Sequence, residues 1–138
     1  MERLNRWSIA WLVLLAVTAC SGAPSKLNPR DAALTEYGAA LRWNEFDRAL
    51  AFVDPEVRLS QPMTDLERER LKQIQVTGYE VKSSQPNEDG SISQVVEIRL
   101  ISKNTQVERV LTDRQAWRWD AASKHFWLTS GLPDFNPE

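Results

Sequence analysis

The chain has 138 residues, 17 basic and 19 acidic side chains and a formal net charge of −2, with one cysteine and one histidine. So mild an acidity argues against a nucleic-acid partner, which favours a basic stripe, and against attraction to a membrane by charge alone. A zinc site uses three or four ligands, and no His or Cys pair stands at ligand spacing. No metal and no cofactor are expected.

The N-terminus has the three parts of a secretory signal. Arg3 and Arg6 precede an apolar run over residues 9–17, and the small residues Thr18 and Ala19 follow. The run has about half of the roughly 20 apolar residues that a membrane-spanning helix needs. A cleaved signal peptide over residues 1–19 is therefore expected, and a permanent anchor helix is not.

The four residues Val17-Thr18-Ala19-Cys20 resemble the lipobox of bacterial lipoproteins. The resemblance implies that the signal is cut before Cys20, that its thiol carries a diacylglyceryl group, and that palmitate-type acyl chains anchor the protein. Each buried methylene contributes about 0.8 kcal/mol, so two or three chains hold stably. The alternative, an ordinary signal with an incidental cysteine, leaves a lone thiol in an oxidising compartment.

A flexible tether is expected over residues 20–28, which are small and polar after the cysteine. In enteric lipoproteins an aspartate after the cysteine retains the protein at the inner membrane. By that resemblance Ser21 favours the periplasmic face of the outer membrane.

A first helix is predicted to begin with Asn28 as N-cap and Pro29 at the first helical position. Gly38 lies inside its apolar stripe and costs about 1 kcal/mol relative to alanine, so it is expected to mark a close backbone approach. The stripe recurs at helical spacing at Leu34, Tyr37 and Leu41.

Two further helices are predicted. Asn44 is expected to cap the second, whose apolar stripe from Phe46 to Val53 ends at Asp54-Pro55. A capping box from Thr64 to Glu67 predicts a short charged helical turn with a solvated face.

Four strands follow, because the apolar period changes from Ile74 onward. Gly78 interrupts the alternation and predicts a bulge. Turn residues at 86–90, 103–105 and 120–124 separate the later strands, at 91–102, 106–119 and 126–130. Helices followed by hairpin-linked strands predict an antiparallel α+β domain.

This order of elements, over residues 28–133, is similar to the NTF2-like (cystatin-like) superfamily, in which a bent sheet wraps the helices into a cone. The resemblance implies one α+β domain over residues 29–138, with N-terminal helices packed on a curved antiparallel sheet of about four strands. The superfamily hosts isomerases, dehydratases, transport factors and many lipoproteins of unknown role, so the fold does not choose a function.

No catalytic residue is assigned. His125 is predicted to lie in a hairpin turn. Nucleophilic catalysis by a Cys-His pair or a Ser-His-Asp triad would depend on this histidine. Glu36, Glu97 and Asp113 are candidates for carboxylate acid or base chemistry. Each is more simply interpreted as a surface charge, and nothing distinguishes one of them.

Tryptophans crowd the last predicted hairpin. The simpler interpretation is that they fill the core, and the sharper one is that they line a pocket or contact a protein partner. Trp117 and Trp119 share a strand face, and Arg114 and Arg118 lie nearby to orient an anionic group. The candidate contact residues are Trp43, Arg114, Trp117, Trp119 and Trp127.

Two functions stay open. The preferred one is a non-catalytic, lipid-anchored envelope protein that faces the periplasm and binds a protein partner or a small apolar ligand in envelope assembly or maintenance. The alternative is a cone-pocket enzyme that uses carboxylate acid/base chemistry on an apolar substrate, and it requires one buried acidic residue with an open path to solvent.

Overall fold

Helices precede a curved, open, four-stranded antiparallel sheet in the computed structural model, which describes residues 27–135. The strands are hydrogen-bonded in chain order, so the sheet is a meander. The predicted α+β class and the number of strands are confirmed. The elements are α1 (Pro29–Arg42), α2 (Phe46–Leu50), α3 (Pro55–Ser60), α4 (Asp65–Leu71), β1 (Ile74–Pro86), β2 (Ile92–Ser102), β3 (Glu108–Asp120) and β4 (His125–Leu128).

Helix α1 begins as predicted. The Asn28 side chain accepts a hydrogen bond of 2.9 Å from the backbone N–H of Asp31, and Pro29 occupies the first helical position. The helix buries Tyr37 and Leu41 against the sheet. Packing of this apolar face, more than intrinsic propensity, holds a helix of this length in place.

The close approach expected at Gly38 is confirmed. A Cβ atom there would lie 2.8 Å from the Cε1 atom of Tyr79, on β1. The bulge expected at Gly78 is also present, because the pairing of β1 with β2 shifts register between Val76 and Gly78.

The predicted second helix is shorter than expected, and Asn44 is not its N-cap. Helix α2 spans Phe46–Leu50, and its N-cap residue Glu45 makes no side-chain capping bond. Asn44 has a φ of 61°, and its side-chain oxygen accepts a hydrogen bond of 2.7 Å from the backbone N–H of Val76. The Asn44 side-chain oxygen, which the local pattern predicted to cap a helix, therefore accepts a long-range hydrogen bond from the sheet.

Helix α3 was not predicted, because Asp54-Pro55 was interpreted only as the end of the preceding helix. Instead the Asp54 carboxylate accepts from the N–H of Glu56 at 2.9 Å, which makes it the N-cap, and Pro55 is the first helical residue. The capping box of Thr64 and Glu67 is present and opens α4. Neither α3 nor α4 buries a residue.

The core lies between α1 and the inner face of the sheet. The rings of Tyr37 and Trp117 meet edge to face with centroids 5.2 Å apart. Alternate residues of β2 point at α1 and complete this core. The largest fully buried side chains are Trp117, Tyr37, Leu41, Ile98, Leu100, Leu128 and Val96.

A Gly38→Ala substitution tests the packing of α1 on β1. Alanine gains about 1 kcal/mol of helix propensity. The new methyl group must nevertheless displace the Tyr79 ring, whose hydroxyl is hydrogen-bonded by Gln115 at 3.1 Å. We expect a net loss of about 1–2 kcal/mol in the free energy of unfolding, measured by urea denaturation.

Gly78→Ala is the matched control. A Cβ at this position would lie 3.5 Å from the Arg99 side chain, an ordinary contact. The control should be neutral or stabilising by up to about 1 kcal/mol. A Gly38→Ala protein as stable as Gly78→Ala would contradict the close approach.

Candidate functional site

Cys20, the lipobox and the signal peptide over residues 1–19 lie outside the described residues, as does most of the tether. Lipidation and membrane attachment therefore stay predictions. Within residues 27–135, no helix combines the length and the apolar character needed to cross a bilayer.

Trp117 belongs to the core and corrects one of the predicted contact residues. Its side chain is 1% exposed, and it packs on Tyr37 and Phe52. The alternation of β3 places residues 113, 115 and 117 on the inner face beneath α1, so this indole is not available to a partner.

The other predicted contact residues are at least partly exposed. Trp119 is 38% exposed and packs on Phe126, with ring centroids 4.9 Å apart. Trp127 pairs with Arg118 across the hairpin, and its indole N–H donates to the Asp120 carboxylate at 3.4 Å.

The remaining two predicted contact residues, Trp43 and Arg114, are exposed. Trp43, 76% exposed, ends α1, and Arg114 is exposed on β3. Burial therefore removes Trp117 alone from the predicted set, and a contact between the other four residues and a partner stays a prediction.

His125 is not the exposed turn residue that was predicted. It is the first residue of β4, and its imidazole stacks on Phe52 and contacts the Trp127 ring at a centroid distance of 4.2 Å. Its Nε2 atom is buried and has no hydrogen-bond partner among the described residues. The ring takes part in aromatic packing.

Asp113 is more deeply buried than the other two carboxylate candidates, Glu36 and Glu97. Glu36 is exposed, and Glu97 is half-buried within 3.5 Å of Lys82 and 3.6 Å of Arg99, so both are surface charges as expected. Asp113 is only 8% exposed on the inner face of β3.

A hydrogen-bonded network surrounds Asp113. The Gln115 side-chain amide donates to the Asp113 carboxylate at 2.7 Å and to the Tyr79 hydroxyl at 3.1 Å. The Gln115 carbonyl accepts from Gln94 and from the Trp117 indole, both at 3.2 Å. We call Tyr37, Tyr79, Gln94, Asp113 and Gln115 the inner polar cluster.

Burial dominates the acid–base properties of this cluster. It raises the pKa of Asp113, although the hydrogen bond from Gln115 works in the opposite direction. It also raises the pKa of Tyr79 to about 12. The pKa of Tyr37 is raised by burial and by the nearby Asp113 charge, and its hydroxyl has no hydrogen-bond partner in the described region.

A cleft of about 810 Å³ lies at the other end of the sheet, between the short helices, the β2–β3 turn and the C-terminal segment. Sequence reasoning missed it, because its walls come from segments that are far apart in the chain. We call it the apolar cleft. Its apolar lining residues are Leu50, Val53, Val57, Pro62, Met63, Leu71, Ile74, Val107, Leu132, Pro133 and Phe135.

Charged side chains also line the apolar cleft, at Arg58, Glu67, Arg70, Arg109 and Asp134. No member of the inner polar cluster lines it. The buried acid and the apolar cleft are therefore separate parts of the domain.

Asp54 positions the α3 wall of this cleft. Its backbone N–H donates to the Leu128 carbonyl at 2.9 Å, and its carboxylate accepts from Glu56 and from the Arg118 guanidinium. The hydrogen bond from Arg118 is the main reason that the pKa of Asp54 is lowered. Asp54 thus joins the start of α3 to β3 through its carboxylate and to β4 through its backbone N–H.

Comparison with known proteins adds a likeness of fold. No protein-family profile matches the chain, and no curated protein matches it significantly in sequence. The solution structure of a SEC-C motif containing protein from Rhodopseudomonas palustris superposes with a TM-score of 0.53 and 18% identity, covering 68% of this chain and 70% of that one. At this identity the likeness concerns the fold alone.

Asp113 should make the domain less stable as the pH rises. Its folded pKa lies above the ordinary value of 3.8, so the folded state holds a proton that the unfolded state has already lost. The free energy of unfolding should therefore fall as the pH rises from about 4 through the folded pKa. Asp113→Asn should lack this decrease when urea denaturation at about pH 5 is compared with about pH 8.

Asp54→Asn is the matched control, because the pKa of Asp54 is shifted downward and its stabilisation is lost only as the pH falls below 3.8. It should lower stability similarly at both pH values while keeping the decrease that Asp113 causes. Equal pH dependence of the wild type and Asp113→Asn would contradict the assignment.

Proposed function

We propose that this protein is a lipid-anchored envelope protein that faces the periplasm, and that its domain is a non-catalytic module that binds a small apolar ligand in the apolar cleft. The cleft is the observation that carries the proposal. Its volume of about 810 Å³ falls within the range of about 300–1,000 Å³ that is typical of small-molecule sites.

The construction of the cleft supports binding. Its apolar lining comes from side chains such as Val57, Leu71 and Leu132, which stay partly exposed at the edge of the core. Covering this surface with an apolar ligand would contribute about 25 cal/mol for each Å² removed from water.

An NTF2-like cone is the second part of the proposal. The order of helices followed by a curved antiparallel sheet supports it. In this arrangement Tyr37 and Trp117 fill the centre of the cone, and the apolar cleft is the open space left at its edge.

Anchoring through Cys20 is the third part, supported by the lipobox Val17-Thr18-Ala19-Cys20. A tether over residues 21–28 would span about 25 Å when fully extended, at about 3.3 Å per residue. The cleft would then work close to the membrane surface, where apolar molecules are concentrated.

The buried Asp113 favours a second candidate function, carboxylate acid/base catalysis on an apolar substrate. Burial raises the pKa of Asp113, which is the direction of shift that a general acid requires. This function ranks second because Asp113 does not line the apolar cleft, where an apolar substrate would bind.

Val57→Glu tests the binding site. Val57 is a half-buried α3 residue that lines the cleft, and the new carboxylate would lose hydration when an apolar ligand covers it. Fluorescence titration with N-phenyl-1-naphthylamine, an uncharged apolar probe, should show affinity weakened by about tenfold or more, equivalent to about 1.4 kcal/mol.

Leu59→Glu supplies the control on the same helix. Leu59 is 83% exposed and does not line the cleft. This variant should bind the probe with the wild-type affinity. A wild-type protein that fails to bind the probe, or two variants with equal affinities, would rule out the cleft as the site.

Cys20→Ser tests the anchor. Metabolic labelling of expressing bacteria with palmitate should mark the wild-type protein and leave the variant unlabelled, because the acylated thiol and the processing site are both lost. Equal labelling of the two proteins would end the lipoprotein proposal.

A further inference from the structure

Arg109 occupies a position that the fold otherwise gives to core residues. It pairs with the fully buried Leu100 of β2, and the inner-face alternation of β3 includes it. Its side chain is half-buried and lines the apolar cleft. A cation held at the inner face of a sheet loses part of its hydration and is stabilised by an anionic partner.

No carboxylate supplies that partner within residues 27–135. The Arg109 guanidinium donates one hydrogen bond, of 3.0 Å, to the backbone carbonyl of Phe135. It forms no ion pair with any described residue. A guanidinium carries five N–H donors, so most of its capacity is left for another acceptor.

Glu67 lines the same cleft but forms no ion pair with Arg109. Its carboxylate accepts from the backbone N–H and from the hydroxyl of Thr64, both at 2.7 Å, as part of the α4 capping box. Arg58, on α3, lines the same cleft and likewise forms no ion pair with a described residue. Within the described residues, the cleft thus combines an apolar surface with two arginines that form no ion pair, and its acidic lining residues are Glu67 and Asp134.

We infer that the ligand of the apolar cleft is a single-chain amphiphile that carries one carboxylate, with Arg109 as the residue that binds the carboxylate and the apolar lining as the surface that holds the chain. This inference rests on the proposed function, since it assigns a ligand class to the same cleft. A guanidinium–carboxylate pair can form two parallel hydrogen bonds, which fixes the orientation of the ligand as well as its charge.

Competition with N-phenyl-1-naphthylamine tests the inference. Dodecanoate and dodecan-1-ol have the same chain length and differ in charge. Below its micellar concentration, dodecanoate should displace the probe from the wild-type protein at about one tenth of the concentration that dodecan-1-ol requires. This tenfold difference corresponds to about 1.4 kcal/mol of binding free energy.

Two substitutions at Arg109 separate charge from structure. Arg109→Gln keeps an N–H donor for the Phe135 carbonyl but has no charge. The concentrations of dodecanoate and of dodecan-1-ol that displace the probe from this variant should therefore become about equal. Arg109→Lys keeps the charge and should retain part of the preference. Added salt should also reduce the wild-type preference, because exposed charge interactions are screened.

The outcomes are distinguishable. If the wild-type protein does not bind the probe, the proposed function fails. If the probe binds and both competitors displace it equally, the proposed binding of an apolar ligand in the cleft is kept and the carboxylate inference fails. If the preference survives in Arg109→Gln and disappears in Arg58→Gln, the assignment to Arg109 is overturned.

Discussion

The edge-to-face contact of Tyr37 with Trp117 is the interaction on which the rest of this structure depends. It joins α1 to β3 at a ring-centroid distance of 5.2 Å, and the two side chains are 0% and 1% exposed. Because these rings fill the space in front of the sheet, a ligand has no room there. The apolar cleft lies at the other end of the sheet, where residues of α3 and α4 form part of its lining.

The two covering layers differ in how firmly they are held. Helix α1 buries residues along its length, whereas α3 and α4 bury none. Segments with few buried contacts open locally at a lower free energy than the core does. Asp54 fixes only the start of α3, through Leu128 and Arg118. The cleft therefore has one rigid wall, the sheet, and one wall that can adjust to a ligand.

Local chemistry explains what the sequence predicted well. The caps at Asn28 and Thr64, the close approach at Gly38 and the bulge at Gly78 each follow from the properties of a few neighbouring residues, and each is present. The strand order was predictable for the same reason, because short turns join consecutive strands.

Long-range contacts explain part of what was missed. Asn44 bonds to Val76 across the fold. Asp54-Pro55 carries the same local cap signal as Asn28-Pro29, and the interpretation of this pair as a helix end alone missed α3. Asp113 was recognised only as one of three equivalent acids, although its alternation with Gln115 and Trp117 would have placed it on the inner face. The apolar cleft combines residues from Leu50 to Phe135, so no single stretch of sequence contains its signal.

The central claim is that an apolar ligand binds in the apolar cleft, away from the buried acid. Mapping the NMR chemical-shift changes caused by a saturating apolar probe tests this claim most directly. We predict that the largest changes fall on Leu50, Val57, Leu71 and Leu132, with the resonances of the inner polar cluster nearly unchanged. Largest changes at Asp113, Tyr79 and Gln115 would contradict the account and would favour a site at the buried carboxyl group.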